Sequence, residues 1–346
     1  MATDAAFLLV SFGGPEGPGD VMPFLRNVTA GRNVPDERLA EVAAHYYLFG
    51  GVSPINAQCR ELVSAIEKDF ASRGIELPVY WGNRNWRPHL AETMQAMADD
   101  GISTAIAFVT SAYSSFSSCR QYLDDIARAR ALVGEKAPLV TKIPPYYRHE
   151  AFIAAFTDAA ARAIESLPEE VRAGAELVFT AHSVPDSMAA ASGPRGGAYQ
   201  AQLAEAAGLV AAGLGARSWR LAYQSRSGPP AVPWLGPDIS DCLTDLARAG
   251  ASAVVVVPIG FISDHMEVAF DLDVEAARTA SDLGLPMARA ATPGTDPRFV
   301  AMISSLVSEF AATRGAHAAL ALEPDANTFC GQHCCGARGR VARVGS

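Results

Sequence analysis

The strongest constraint on the fold is a unit that the chain uses twice. Met97-Ala-Asp-Asp-Gly101-Ile-Ser-Thr-Ala-Ile-Ala-Phe in the first half is echoed by Leu246-Ala-Arg-Ala-Gly250-Ala-Ser-Ala-Val-Val-Val-Val in the second. Each reads as a helix end, a glycine that stops it, and a strand-sized apolar run. A run such as Val254-Val-Val-Val257 belongs in a sheet covered on both faces, and parallel strands of that kind are joined by helices. Residues 79–81 followed by Gly82-Asn-Arg84 are echoed in the same way by residues 219–223 followed by Gln224-Ser-Arg226. The patterning predicts strands over residues 7–12, 77–82, 104–110, 139–143, 177–181, 219–223 and 254–257. Helices are expected over residues 57–72, 90–99, 119–131 and 298–311. The implied fold class is α/β: two similar Rossmann-like domains, residues 1–150 and 151–314, each a parallel sheet flanked by helices, with a cleft between them. Residues 315–346 are a cysteine-containing tail, and the last helix is placed to pack back on the first domain.

Ligands of open α/β sheets sit beyond the carboxyl ends of the strands. That rule gathers Phe12, Arg84, residues 111–118, His182, Arg226 and residues 264–267 around one space. The richest stretch there runs from Ile259 to Glu275. Pro258 and Gly260 break the strand, and Ser263 or Asp264 is placed to cap the next helix. On that helix Asp264, Glu267, Asp271 and Glu275 share one face, where each like-charged pair costs about 0.2–0.5 kcal/mol. A solvated acidic face is one reading of the column and a cation path is the other. His182 stands in Ala-His-Ser-Val-Pro at a strand's carboxyl end. Alone it reads as a hydrogen-bonded structural histidine; with Glu267 it becomes a base–acid pair or an open two-ligand site suited to Fe²⁺. His265, two residues before Glu267, is expected to point away from it.

Several classes are excluded or disfavoured. A net charge of −9, from 28 basic and 37 acidic residues, argues against general nucleic-acid binding. There is no span-length apolar run and no charged-then-apolar start, so a soluble cytoplasmic monomer is expected. Neither a Gly-x-Ser-x-Gly elbow nor a phosphate or dinucleotide loop is present, which disfavours acyl, phosphoryl and hydride transfer. Phe12, Tyr46, Tyr47, Phe49, Tyr113, Phe116, Tyr122 and Trp234 crowd the loops, as walls of a flat apolar ligand site would. The tail carries Cys330-Gly-Gln-His-Cys334-Cys335, three thiols in six residues, which is a soft-metal pattern short of one ligand.

With those residues assembled, the chain resembles the ferrochelatases, most closely the actinobacterial type that acts on coproporphyrin III. The motifs are Ser11-Phe-Gly-Gly-Pro, Gly50-Gly-Val-Ser-Pro-Ile-Asn, Tyr80-Trp-Gly-Asn-Arg-Asn-Trp, Thr180-Ala-His-Ser-Val-Pro, Tyr223-Gln-Ser-Arg-Ser-Gly-Pro and Ser263-Asp-His-Met-Glu. The resemblance implies insertion of Fe²⁺ into a porphyrin held in the cleft. It implies catalytic roles for His182 and Glu267, facing one another across the macrocycle, and a metal route over Glu267, Asp271 and Glu275. Porphyrin contacts are implied at Phe12, His45, Tyr46, Ser53 and Tyr122. Cluster-bearing members hold a [2Fe–2S] centre on three tail cysteines and one upstream, which gives Cys330, Cys334 and Cys335 here. Cys119 is preferred as the fourth because it opens a helix, where thiol pKa is depressed. Phe12 departs from relatives with tyrosine at that position, so the product iron lacks a phenolate ligand from it. Protoporphyrin IX as the substrate, and a non-catalytic tetrapyrrole or iron carrier, stay as alternatives.

Overall fold

The computed structural model describes residues 4–228, 231–317 and 334–336. Its strands among these are β1 (Ala5–Ser11), β2 (Val79–Asn83), β3 (Thr104–Val109), β4 (Leu139–Lys142), β5 (Ala175–His182), β6 (Arg220–Gln224), β7 (Ala253–Val257) and β8 (Met287–Arg289). They form two parallel four-stranded sheets, β2-β1-β3-β4 and β6-β5-β7-β8. The order is the same in both, so the repeat read from the sequence is a repeat of topology. Helices cover both faces, which is why β7 is wholly buried and reads Ala-Val-Val-Val-Val. The expected α/β fold of two similar units is therefore present.

One strand lies outside the sequence expectation. β8 has only three residues, none of them wholly buried, so it carries no periodicity to read. Two helices also differ from expectation. The segment expected to be helical from residue 119 opens with a π-helical turn, Phe116–Arg120, before Gln121–Val133. The segment after β7 is an α-helical turn, Met266–Phe270, continued by a π-helical stretch, Asp271–Ala276.

The two sheets share a core. Phe7, Phe70 and Phe108 of the first half and Phe179, Val255 and Val257 of the second belong to one buried cluster. Phe152 and Phe156, both fully buried on the helix Glu150–Ser166, fill the space between them, with Phe152 edge-on to Tyr146 at 5.7 Å. The Tyr113 hydroxyl, on the loop after β3, donates to the Ile259 carbonyl at 2.8 Å on the loop after β7. Those loops occupy matching places in the repeat, so the hydrogen bond ties the two halves at the cleft. On the helix Pro297–His317, Ser304 bonds Asp69 of the helix Ile55–Arg73. No helix among the described residues is long and apolar enough to cross a membrane.

Gly260 sets how closely the loop after β7 approaches β5. A Cβ there would lie 2.7 Å from Ala181 Cβ and 2.8 Å from Ala181 Cα, and the second of these is backbone that cannot swing aside. Gly260→Ala is expected to lower stability by about 1–3 kcal/mol through overpacking, read as a lower urea midpoint at unchanged slope.

Candidate active site

β5 and β7 are hydrogen-bonded neighbours, so the residues at and beyond their carboxyl ends meet. His182 ends β5, and Glu267 lies in the first turn after the β7 loop. Their Nε2 and Oε2 atoms are 3.4 Å apart. A macrocycle needs roughly 3.5 Å of contact distance on each face, so nothing flat fits between them. The expectation that they face one another across the macrocycle is corrected: they form one unit on one side of the cleft.

His182 Nδ1 contacts the Ser183 carbonyl, which can only accept, so Nδ1 carries a proton in either charge state. Nε2 is left as the titrating nitrogen, aimed at Glu267. Tyr199 holds the strand end by donating to the His182 carbonyl at 2.9 Å. Burial lowers the affinity of His182 for its second proton, but the Glu267 charge and hydrogen bond outweigh this and the net pKa is raised. Burial alone would raise Glu267; His182 and then His265 overcome it and hold the carboxyl at about 2.

The acidic column divides by environment. Asp271 accepts a hydrogen bond from Ser225, yet burial and the charges of Glu267 and Glu275 push its pKa up to about 7. Glu275, exposed, leads from Asp271 to solvent. Gln224 donates from Nε2 to the Glu267 carbonyl at 2.9 Å. Gln224 and Ser225 thus support the site, a role that neither the repeat nor the motif Tyr223-Gln-Ser-Arg-Ser-Gly-Pro assigns to them. The signal that could have found them is their position, matching Gly82 and Asn83 in the repeat.

Asp264 does not join the column, and neither it nor Ser263 caps the helix. His265 is the N-cap: its Nδ1 accepts the Glu267 N–H at 3.2 Å. Its backbone is extended, so helical spacing does not apply, and Nδ1 stands 3.9 Å from Glu267 Oε2 rather than pointing away. Asp264 instead pairs with Arg289.

An aromatic group of the first half adjoins this site. Phe12 stands edge-on to Phe24, at 6.3 Å between ring centroids, and Phe24 in turn packs on Tyr46 and Trp86. Tyr46 belongs with Met266 and Phe270 to one buried cluster that joins the first half to the Glu267 helix. Burial, then the charges on Glu267 and Asp271, push its phenol well above the ordinary range. His45 stacks on Phe270 at 3.7 Å. The Arg84 guanidinium lies 4.5 Å over Tyr122 and 5.7 Å from Phe12, paired with buried Asp125. Ser53 is 3 % exposed, against Gly14, where an added Cβ would meet Ser53 Cβ at 2.6 Å. It braces the loop after β1 from behind.

Away from the cleft, Cys119, Cys334 and Cys335 are all buried, and Cys330 lies outside the described residues. The Cys334 and Cys335 sulfurs are 4.0 Å apart, and the Gly193 N–H donates to Cys335 Sγ at 3.2 Å. Burial pushes the Cys335 thiol up and Cys119 adds to it, while Gly193 and Lys142 oppose. Among the described residues no three His, Cys, Asp or Glu side chains gather into a ready metal cage.

Comparison with known proteins bears on this arrangement. The Ferrochelatase family profile matches residues 4–311. A coproporphyrin III ferrochelatase of Streptomyces griseus is 50% identical over 350 aligned residues, covering 96% of this chain and 93% of that protein. One of Nocardia farcinica is 55% identical over 312, covering 89% and 88%. Among solved structures, SirB from Bacillus subtilis with Fe³⁺ has the same fold at a TM-score of 0.56 and 12% identity, covering 91% of this chain and 98% of that one.

Glu267→Gln removes the charge that raises His182 and leaves the burial that lowers it. The His182 imidazole of the metal-free variant is expected to titrate at lower pH than in the parent, followed by NMR of its ring protons.

Proposed function

The chain belongs to the ferrochelatase family, and we propose that it inserts Fe²⁺ into coproporphyrin III to give Fe-coproporphyrin III for heme biosynthesis. The observation that carries this reading is the 3.4 Å contact of His182 with Glu267 at the head of an acidic column that reaches solvent. The porphyrin assignment within the family rests on the relatives that bear that name at about half identity over most of the chain. A carrier would have no use for a base held against a carboxylate at the cleft.

The chemistry sets three demands. Two pyrrole N–H protons must leave as one Fe²⁺ enters, the hydration shell of the ion must be stripped, and the macrocycle must be held. His182 accepts protons at Nε2, because Ser183 fixes the tautomer that leaves this nitrogen free. Glu267, a carboxylate throughout the physiological range, stabilises the imidazolium so formed and offers the incoming cation an anionic oxygen. Asp271 takes up and releases protons near neutrality, so it passes them toward Glu275 and solvent. Protons and iron thus travel over the same column in opposite directions, and each proton released leaves a carboxylate for the cation. Phe12, Tyr46 and Tyr122 form the apolar wall, with His45 stacked behind on Phe270 and Ser53 bracing the Gly14 loop.

We also propose that Cys119, Cys330, Cys334 and Cys335 hold a [2Fe–2S] cluster. The donor set suits it: the Cys334 and Cys335 sulfurs are 4.0 Å apart, buried Cys119 is near enough to push the Cys335 thiol up, and the Gly193 N–H already points at the Cys335 sulfur, as thiolate ligands favour. When bound, such a cluster supplies a one-electron centre and a cross-link between the first half and the tail. Buried free thiols at Cys59 and Cys242 suit a reducing compartment, supporting a cytoplasmic location.

His182→Ala is expected to lose iron insertion while still binding coproporphyrin III, in an anaerobic assay run in parallel with protoporphyrin IX. Turnover at the parental rate contradicts the assignment. Cys119→Ser is expected to abolish the visible absorption and the sulfide content of anaerobically prepared protein; unchanged spectra rule out Cys119 as a ligand.

A further inference from the structure

The Glu267-bearing segment has an unusual geometry for its purpose. It makes one α-helical turn and then continues as π-helix over Asp271–Ala276. A π-helical stretch is disfavoured against α-helix and persists only where something holds it. It matters here because Glu267, Asp271 and Glu275 straddle the change. An α-helix advances roughly 40° every four residues and so spreads Glu267, Asp271 and Glu275 over roughly 80° of one face, whereas the wider π turn brings Glu275 back toward the line of the other two.

One side chain bridges this segment from end to end. Arg289, on the edge strand β8, sends Nε and Nη2 to Asp273 at 2.5 and 3.0 Å, inside the π-helical stretch. Its Nη1 and Nη2 reach Asp264 at 3.3 and 3.2 Å, before the first turn. Asp264 is fixed in turn by Thr292 Oγ1 at 3.1 Å, and its N–H donates to Gln58 Oε1 of the first half at 2.8 Å. Asp273 lies two residues beyond Asp271 and so on another side of the helix. The guanidinium therefore touches neither the cleft nor the column. It is 19 % exposed and engages two carboxylates by paired contacts, which only the planar fork of arginine does.

We propose that Arg289 is a positioning residue for metal delivery: it clamps Asp264 to Asp273, keeps the 271–276 stretch π-helical, and so holds Glu267, Asp271 and Glu275 in one column. The porphyrin wall is built from the first half, and its contacts with this segment, Tyr46 with Met266 and Phe270 and His45 on Phe270, fall ahead of the π-helical stretch. The role rests on the iron-insertion reading of the column, although the clamp itself does not.

The test uses the full chain with Arg289→Met, Arg289→Lys and Asp273→Asn. Asp273 is 41 % exposed, so its amide replacement cuts one arm without burying a new group and serves if Arg289→Met does not fold. Amide exchange of the metal-free protein, read by mass spectrometry, is expected to speed up in peptides covering residues 264–276 and to stay unchanged elsewhere. The KM for Fe²⁺ is expected to rise roughly 10–100-fold, as for other residues that orient metal ligands, with coproporphyrin affinity unchanged. Arg289→Lys recovers part of the loss because an ammonium serves one carboxylate at a time. Arg289→Met with Asp273→Asn is expected to be no worse than Arg289→Met alone, since both cut the same bridge. The proposal is overturned by unchanged exchange over residues 264–276, by an unchanged KM for Fe²⁺, by equal loss of porphyrin and iron affinity, or by additive effects in the double variant. A parent enzyme that fails to insert iron, with the exchange result intact, counts against the iron-insertion reading and leaves the clamp standing.

Discussion

The site depends on one contact between neighbouring strands. β5 and β7 pair in parallel at the centre of the second sheet, so the residue that ends one and the turn beyond the other cannot avoid meeting. His182 and Glu267 are those residues. Their 3.4 Å approach makes an acid–base couple whose members shift one another's affinity for protons in opposite directions. A histidine buried alone would shed its proton more readily and a glutamic acid buried alone would keep its own. Set together, each shifts the other toward its charged form, one carboxylate away from a group whose pKa is pushed up to about 7.

That arrangement separates tasks that any metal-inserting enzyme must separate. On the proposed reading the base and the anionic route are His182 and the acidic column of the second half, and the macrocycle is held by the aromatic group around Phe12, Phe24 and Tyr46 of the first. Tyr46 links the two, because it clusters with Met266 and Phe270 and its buried phenol feels the charges on Glu267 and Asp271. The halves are therefore not independent lobes that happen to face each other. Tyr113 bonding Ile259, and His45 stacking on Phe270, tie the first half to the second at two places.

Much of this is legible in the chain. The glycine-stopped helix leading into an apolar run appears twice, and it correctly implies two parallel sheets of like topology. Seven of the eight described strands are within reach because they are long enough to show a pattern; β8, with three partly exposed residues, is not. Motif resemblance locates His182 and Glu267 but misplaces them relative to one another. Opposite faces of a macrocycle require separated strand ends, and the strand order makes these two adjacent. Helical periodicity fails between 264 and 276 for a physical reason. His265 caps the helix from an extended backbone and the next turns change pitch, so a single 100° rule does not hold across them. Ser53 illustrates the other limit: a motif names a position, while packing against Gly14 decides which way the side chain works.

The central claim is that His182, with its tautomer fixed by Ser183 and its charge steadied by Glu267, accepts the porphyrin protons. Single-turnover insertion of Fe²⁺ measured against pH, beside the NMR titration of His182 in the porphyrin-bound protein, tests it directly. The account predicts that the rate falls on the acid side with the same midpoint at which His182 takes up its second proton. A rate that stays level across that titration contradicts it.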